Sequence, residues 1–475
     1  MPTAEAIVPE QLVHEIPVTT RADMRVPARV FADGELWRQI EGDHSLEQLI
    51  NVATLRGVSH CVYGMPDLHE GYGFPVGGVA AMRAADGVIS PGGVGYDINC
   101  GVRLLAADLD AAAAAPELER FVHELSRSIP SGTGRGGRLA LTDVELERVL
   151  AHGCRALVEQ GLATSEDLDA TEAHGCLTRA DPAAVSQRAR GRGRDQLGTL
   201  GSGNHFVEVQ VVDRIEDAAA ARALGLRAGR ITVLIHTGSR GLGHQVCTDY
   251  VRLMDQAMPR YGITLPDRQL ACAPFRSPEG QQYFGAMCAA ANFAWANRQV
   301  ITHRVREVFG RLFGAGGALR LVYDVAHNMA KLEEHAGGLL VVHRKGATRA
   351  FGPTHPETPE RYREVGQPVF IPGSMGTASY VMVGTDAALA RSFGSACHGA
   401  GRVMSRHAAK RVQPGHEVRR ELEARGIIVR CPSSGELAEE APFAYKDVER
   451  VVDVVHGAGL ARKVARLLPL GVVKG

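Results

Sequence analysis

The chain has 475 residues, 45% of them hydrophobic and 22% charged, enough for one large domain or two to three average ones around a sizeable core. Lysine plus arginine and aspartate plus glutamate each number 53, so the formal charge is zero; a wholesale basic coat for nucleic acid is excluded, a local basic cleft is not. The nine cysteines are odd in number and include no Cys-x-x-Cys pair, which argues against a disulfide framework or a thiolate-only zinc site and for a reducing compartment.

In chain order, the opening "MPTAEAIVPEQLVHEIPV" lacks a basic start followed by an apolar core, so it does not read as a signal peptide. No run approaches ~18 apolar residues, so no membrane span is expected and the location implied is cytoplasmic. Residues 46–56 predict a helix with Leu46, Leu49, Ile50 and Ala53 on one face. From 57 to 103, glycine-rich turns separate short apolar runs, the pattern of strands that approach something closely with bare backbone. Helices are predicted over 116–127 and 141–160, followed by a polar stretch over 165–195. Strands are predicted at 206–212 and 231–236. Ser277-Pro278 has the chemistry of a helix start, and a long helical pattern follows. Strands at 320–326, 338–343 and 380–383 and a helix around 448–468 complete the reading. Strands and helices mix without a regular β-α-β rhythm, which predicts a mixed α/β fold.

Residues 93–103, "GVGYDINCGVR", place Asp97 and Cys100 three apart among Gly93, Gly95 and Gly101. Alone, the segment reads either as a tight turn holding a buried cysteine or as half of a metal site. His205 precedes one strand run, and His236, His327 and His343 end others. A single such histidine is more often a satisfied, partly buried imidazole. Four beside glycine-rich loops weigh toward a site, because rigid strands position side chains where loops leave room. Carboxylate, thiolate and imidazole together suit manganese, cobalt, nickel or zinc and not calcium or magnesium.

A second group of features suits a nucleotide. "PGSMGT" at 372–377 can offer backbone N–H groups to phosphate, and "CHGAGR" at 397–402 places His398 beside small residues, with Arg402 available to balance charge. The alternative for the latter is a helix start after a turn. No P-loop motif is present. Arg188, Arg190, Arg192 and Arg194 read either as a track for a nucleic-acid backbone or as a solvated loop.

Taken together, the segments resemble the RtcB family of RNA ligases. The matching pieces are "GMPDLHEGYGFPVGG", "GGVGYDINCGVR", "LGTLGSGNHFVEVQ", "HTGSRGLGHQV", "DVAHNMA", "HRKGATRAFG", "PGSMGT", "CHGAGR", "EEAPFAYKDV" and the terminal "VVKG", in the family's order from about residue 57 to the end. Small departures are Tyr96, where phenylalanine is common, and Thr237, where serine is common. The resemblance implies an α/β, mixed-sheet RtcB-like fold with surrounding helices. It implies one compact domain over 1–475, with room for a helical insertion around 110–195. It also implies a GTP- and manganese-dependent ligase that joins RNA 3′-phosphate or 2′,3′-cyclic phosphate ends to 5′-hydroxyl ends through a histidine–GMP intermediate and a guanylate-capped RNA end, in tRNA splicing or RNA repair.

Carried over by motif, Asp97, Cys100 and His205 would hold one Mn2+ ion, and Cys100, His236 and His327 a second. His398 would be the nucleophile that takes GMP from GTP. Asn204, Phe206, Glu208, Asn328, Pro372, Gly373, Ser374, Met375, Ser379, Gly399, Ala400, Gly401 and Lys474 would line the guanylate pocket, with His343 and Lys345 in support. RNA is the implied partner; archease, a small activating protein, works with such ligases, and no residue here decides whether it works with this one. A lysine-nucleophile nucleotidyltransferase would need Lys-x-Asp-Gly, which none of the six lysines begins. A phosphodiester metallohydrolase would leave "CHGAGR" and Lys474 without a role, and an inactive RNA-binding chaperone would be expected to have damaged His398 or a ligand.

Overall fold

Glycine-bounded apolar runs become strands of two sheets in a computed structural model, which describes residues 12–132, 136–314, 318–336 and 338–475. Most of the stretch tested for a signal peptide therefore lies outside the described residues. The first sheet has six strands in the order Val13–Ile16, Ala28–Phe31, Val58–His69, Val76–Arg83, Gly338–Lys345 and Asn328–His335. The second has eight. Its main path runs Arg320–Ala326, Gly101–Asp110, Arg230–Thr237, Phe206–Ile215, Ala461–Lys474, Ser379–Gly384 and Pro368–Ile371, with Ile428–Arg430 pairing in parallel off the path. Strand Arg320–Ala326 of one sheet passes directly into Asn328–His335 of the other, so His327 is the junction between them. The fold is the expected mixed α/β arrangement. Between Asp110 and Phe206 the described residues form helices and turns without a strand. No helix among the described residues is long and apolar enough to cross a membrane.

The helix Pro278–Phe313 organises the second sheet. Ser277 caps it by accepting from the Gly280 N–H, and its 36 residues run for about 54 Å. Every residue from Tyr283 to Thr302 is buried. A helix buried all round needs a partner for each polar side chain it carries. Asn297 accepts from the Gly198 and Thr199 amides at 2.7 and 3.0 Å and donates to the Thr199 and Gly238 carbonyls, both at 3.1 Å. Arg298 donates Nη1 to the carbonyls of Asn99 and Thr237, both at 2.8 Å. Its Nη2 reaches Asn99 Oδ1 and Asp324 Oδ1, both at 2.9 Å, and its Nε reaches Asp324 Oδ2 at 2.8 Å. Arg103 donates to the same Asp324 Oδ2 at 2.7 Å, and all three charged side chains are wholly buried. Burial pushes the Asp324 carboxyl up, but the two guanidinium groups outweigh that and hold it below the usual range.

Two expectations are corrected. The tail helix ends at Gly457, and Ala461–Lys474 is a strand between Phe206–Ile215 and Ser379–Gly384. Its Ala, Arg, Lys and Leu content favours a helix by propensity. Gly459 at φ +69° stops the helix, and the place between two strands decides the rest, with Pro469 tolerated at a register shift. The helix predicted over 141–160 is two, Asp143–His152 and Arg155–Val158, broken at Gly153, whose φ is +55°.

The fold predicts that Arg298→Met, which removes one partner of a wholly buried charge network, costs about 3–5 kcal/mol. The cost would be read as a lower urea midpoint with unchanged m. A midpoint indistinguishable from wild type would show that the network does not hold these segments together.

Candidate active site

Five adjacent antiparallel strands of the second sheet finish at one end, and their register is what assembles the site. Ala326 pairs with Gly101, Gly101 with Thr237, Phe206 with His236 and Lys474 with Phe206. Consequently His327, Cys100, His236, His205 and Lys474 arrive at that end in the order of the strands. Gly101 is required by close approach, since a Cβ there would lie 2.6 Å from the Val325 carbonyl. Asn99 turns at φ +52°, donates its N–H to the Asn328 carbonyl at 2.7 Å and is held from below by Arg298.

The five expected metal ligands converge. Cys100 Sγ lies 3.3 Å from both His205 Nε2 and His236 Nε2, and His236 Nε2 lies 3.3 Å from His327 Nε2. Asp97 Oδ2 sits 2.9 Å from His205 Nε2 yet finds no hydrogen-bond partner. Nδ1 of His205, His236 and His327 is buried without a partner, so the rings make their polar contacts on the Nε2 side alone. Burial, and then neighbouring imidazoles, push His236 and His327 well below the ordinary imidazole value. Both rings are therefore neutral and able to donate a lone pair. Burial and then Asp97 push the Cys100 thiol well up, so a thiolate there needs a cation beside it. Carboxylate, thiolate and three imidazoles converging in this way are a donor set that suits a borderline divalent ion, and one ligand atom each of Cys100, His205 and His236 lie within 4.8 Å of one another. Residues 93–103 do form a tight turn, and it carries Asp97 and Cys100 to the other candidate ligands.

His398 follows the short strand Ser395–Cys397, and no helix begins there. Its Nδ1 lies 2.6 Å from Asp67 Oδ2, and its backbone N–H donates to the same oxygen at 3.2 Å. A carboxylate only accepts, so Nδ1 carries the proton, and in the neutral ring the lone pair is then on Nε2. The ring centroid is 4.7 Å from that of His327, which places the imidazole against the ligand cluster. Gly401, at φ +77°, lets the following turn press on Asp67: a Cβ would meet the Asp67 carbonyl at 2.4 Å. Lys446 closes the arrangement, donating its backbone N–H to Gly401 O at 2.9 Å and Nζ to the carbonyls of Pro66 and Leu68 at 3.1 and 2.7 Å. Asp67 was not singled out in the sequence. It is 331 residues from His398, and an acid in "MPDLHEG" carries no local sign of its partner.

A cleft of about 830 Å³ exposes the five ligands and His398, together with Asn204 and Asn328. The other residues expected around a guanylate lie behind this surface. Lys474 is wholly buried, donates Nζ to Asn204 Oδ1 at 2.8 Å and stands 5.3 Å over the Phe206 ring. Gln210 links Glu208 and Ser379 by donating to both, at 2.6 and 3.0 Å. Burial raises Glu208 to about 8 and lowers Lys474 to about 8. The 372–375 loop backs onto the His398 turn, with the Ala400 N–H donating to Pro372 O at 3.1 Å and the Ser374 N–H to Thr377 Oγ1 at 2.7 Å; Gly373 lies between, and Met375 is buried. Gly399 sits 3.3 Å, at its Cβ position, from the Pro372 carbonyl. Asn328 donates to the Asp97 carbonyl at 3.1 Å and accepts from the Gly346 N–H at 2.8 Å.

Three expectations change. His343 lies away from the cluster: it is wholly buried, accepts from the Ser90 N–H at 3.2 Å and is lowered to about 4 by burial, a structural imidazole. Arg402 points at Glu440 and Tyr445, at 3.1 and 3.2 Å; Arg406 lines the cleft instead. The arginine run is the short helix Gln187–Gly193 and its C-cap Arg194; Arg190 and Arg194 pair with Glu147 and Asp143, while of the run Arg192 alone reaches the cleft. Lys345 lines it too, its Nζ donating to the Tyr72 and Phe74 carbonyls at 2.9 and 2.7 Å. A larger cavity of about 1340 Å³, bordered by Arg306, Tyr323 and Arg349, contains none of the ligands. Chemistry, not volume, identifies the smaller one.

Residues 48–475 match the family model described as tRNA-splicing ligase RtcB. The chain is 54% identical over 468 residues to the tRNA-splicing ligase RtcB of Archaeoglobus fulgidus, covering 97% of each. It is 55% identical over 459 residues to the protein of that name from Thermococcus kodakarensis, covering 95% of each. It is also 55% identical over 435 residues to the RNA-splicing ligase RtcB of Mycobacterium tuberculosis, covering 90% of this chain and all of that one.

The converging donors predict that manganese at about 100 times its Kd stabilises the wild type by about 2.7 kcal/mol in thermal melting. Cys100→Ala, which deletes the shared donor, is expected to lose most of that gain. A wild type whose melting ignores manganese would contradict the assignment.

Proposed function

As the chain belongs to the tRNA-splicing ligase RtcB family and is an RNA ligase, we propose that it joins RNA ending in a 3′-phosphate or 2′,3′-cyclic phosphate to RNA beginning with a 5′-hydroxyl, with GTP as guanylate donor, in tRNA splicing or RNA repair. The observation that carries this reading is the His398–Asp67 pair standing against the ligand cluster.

Asp67 holds the Nδ1–H, so the Nε2 lone pair attacks the α-phosphorus of GTP. The N–P bond forms as the bond to pyrophosphate breaks, and pyrophosphate leaves with the electron pair. The imidazole becomes cationic in that step, and the Asp67 carboxylate at Nδ1 stabilises it. An oxygen of the RNA 3′-phosphate then displaces His398, which returns to its neutral form. The 5′-hydroxyl attacks the activated phosphate and GMP departs. Two manganese ions, one at Asp97, Cys100 and His205 and one at Cys100, His236 and His327, would offset charge on the phosphate oxygens.

The buried wall behind His398 suits the guanine. Its N1–H and exocyclic amine are donors that match the Glu208 carboxyl, which burial raises to about 8 against the lowering by Gln210 and Lys474, and which two further donors would draw back toward its ionised form. Phe206 and the small residues from Gly399 to Gly401 are buried, and Lys474, 5.3 Å over the Phe206 ring, supplies positive charge nearby.

In a gel assay with 3′-phosphate and 5′-hydroxyl RNAs, ligation is expected to require GTP and manganese and to vanish in His398→Ala. Asp67→Asn, which no longer fixes the tautomer, is expected to slow ligation by about 10²–10⁴-fold while leaving manganese-dependent melting unchanged. Ligation by His398→Ala, or by the wild type without GTP, would refute the scheme.

A further inference from the structure

Two stacked aromatic rings line the cleft with a third edge-on against them, and the chemistry above uses none of them. Tyr96 and His244 are stacked at 4.8 Å with an interplanar angle of 26°. Tyr72 braces Tyr96 edge-on, at 5.3 Å and 63°. The chain is poor in aromatic residues, at 5%, and its largest ones are mostly buried in the core. Here Tyr72 and Tyr96 are only half-buried, and His244 is exposed.

Backbone and charge fix where this stack faces. Tyr96 immediately precedes Asp97, and the Tyr72 carbonyl accepts from Lys345 Nζ at 2.9 Å, so the rings are tied to the ligand cluster at one side of the cleft. Tyr96, His244, Arg192 and Arg240 all border the same space as His398. Arg192 is exposed, donates to Gln245 Oε1 at 3.1 Å, and forms no carboxylate ion pair among the described residues. Arg240 is largely buried and donates to Thr199 Oγ1 at 3.0 Å and Gly132 O at 3.3 Å, both neutral groups. A flat aromatic face next to two guanidinium groups, neither of which forms a carboxylate ion pair among the described residues, is the combination that holds a single-stranded nucleotide: stacking for the base, positive charge for the phosphate.

We propose that the Tyr96–His244 stack is a platform for a terminal nucleobase of the RNA being joined, with Arg192 beside it for that nucleotide's phosphate. This rests on the reading of the chain as an RNA ligase. The exposed His244 ring is the surface the base meets, Tyr96 stiffens it from behind, and Tyr72 fixes Tyr96. Stacking reads no hydrogen-bond pattern, so the platform accepts any base, as suits an enzyme that joins ends of varied sequence. Either strand has a terminal base close to the junction. The 3′-phosphate end and the 5′-hydroxyl end are therefore the two sources that the experiment separates.

The test is fluorescence anisotropy of the full-length protein with manganese and short labelled RNAs, one set ending in a 3′-phosphate and one beginning with a 5′-hydroxyl, each with its terminal base present or replaced by an abasic residue. His244→Ala and Tyr96→Ala are expected to weaken binding of one intact set by about 10-fold, and Tyr96→Phe, which keeps the ring, to bind like wild type. With the abasic version of that set the penalty should disappear, because base and ring are removed from the same contact. The set in which this happens names the end that is held. A penalty that persists on abasic RNA, or no penalty on either set, would overturn the platform. Ligation by the wild type is followed alongside: base-dependent binding without ligation would remove the ligase reading and leave the stacking site supported.

Discussion

All five N–H groups of the Arg298 guanidinium are used inside the core, and the site depends on where they go. One pair of bonds reaches the carbonyls of Asn99 and Thr237, the neighbours of Cys100 and His236. Another fork takes the carboxylate of Asp324, three residues before His327. A single side chain on the buried middle of the long helix therefore sets the relative positions of three segments that carry candidate metal ligands. A lysine could not substitute, since it is a point charge without the planar fork. Desolvating the network is expensive, and its return is geometric, because donors to metal ions must be placed to a fraction of an ångström.

The second constraint joins segments far apart in the chain. Asp67 comes from the first sheet and His398 from the end of the short strand Ser395–Cys397, which pairs with Ala347–Arg349 outside both large sheets, and their 2.6 Å contact decides which imidazole nitrogen carries the proton. Lys446 and Gly401 serve that contact: one ties the carbonyls on either side of Asp67, and the other has no Cβ to hold the turn away. Buried carboxylate, oriented imidazole and converging donors thus form one continuous unit across elements far apart in sequence.

The sequence was most informative where chemistry sits beside strand ends. Asp97, Cys100, His205, His236 and His327 were all legible because each combines a coordinating side chain with a glycine-rich neighbourhood, and the structure brings all five together. His343 shares that pattern and proves structural, since periodicity cannot tell a histidine at the end of a strand from one buried within it. Asp67 was invisible for the opposite reason: its role is set by a partner that only the tertiary fold supplies. Arg402 illustrates the same limit, its charge claimed by Glu440. The core strands and the long helix were readable from apolar runs and the Ser277-Pro278 start. The strand Ala461–Lys474 was not, because residues of good helix propensity are held between two neighbouring strands, a tertiary effect that local sequence does not report.

The account turns on His398 as the group that takes up guanylate. The most direct measurement is incubation of the purified protein with α-labelled GTP and manganese, followed by mass-spectrometric location of the adduct. The account predicts one covalent guanylate on His398, destroyed by acid, spared by alkali and absent from His398→Ala. A guanylate on another residue, or a wild type that forms none while cleaving phosphodiesters in manganese, would contradict it.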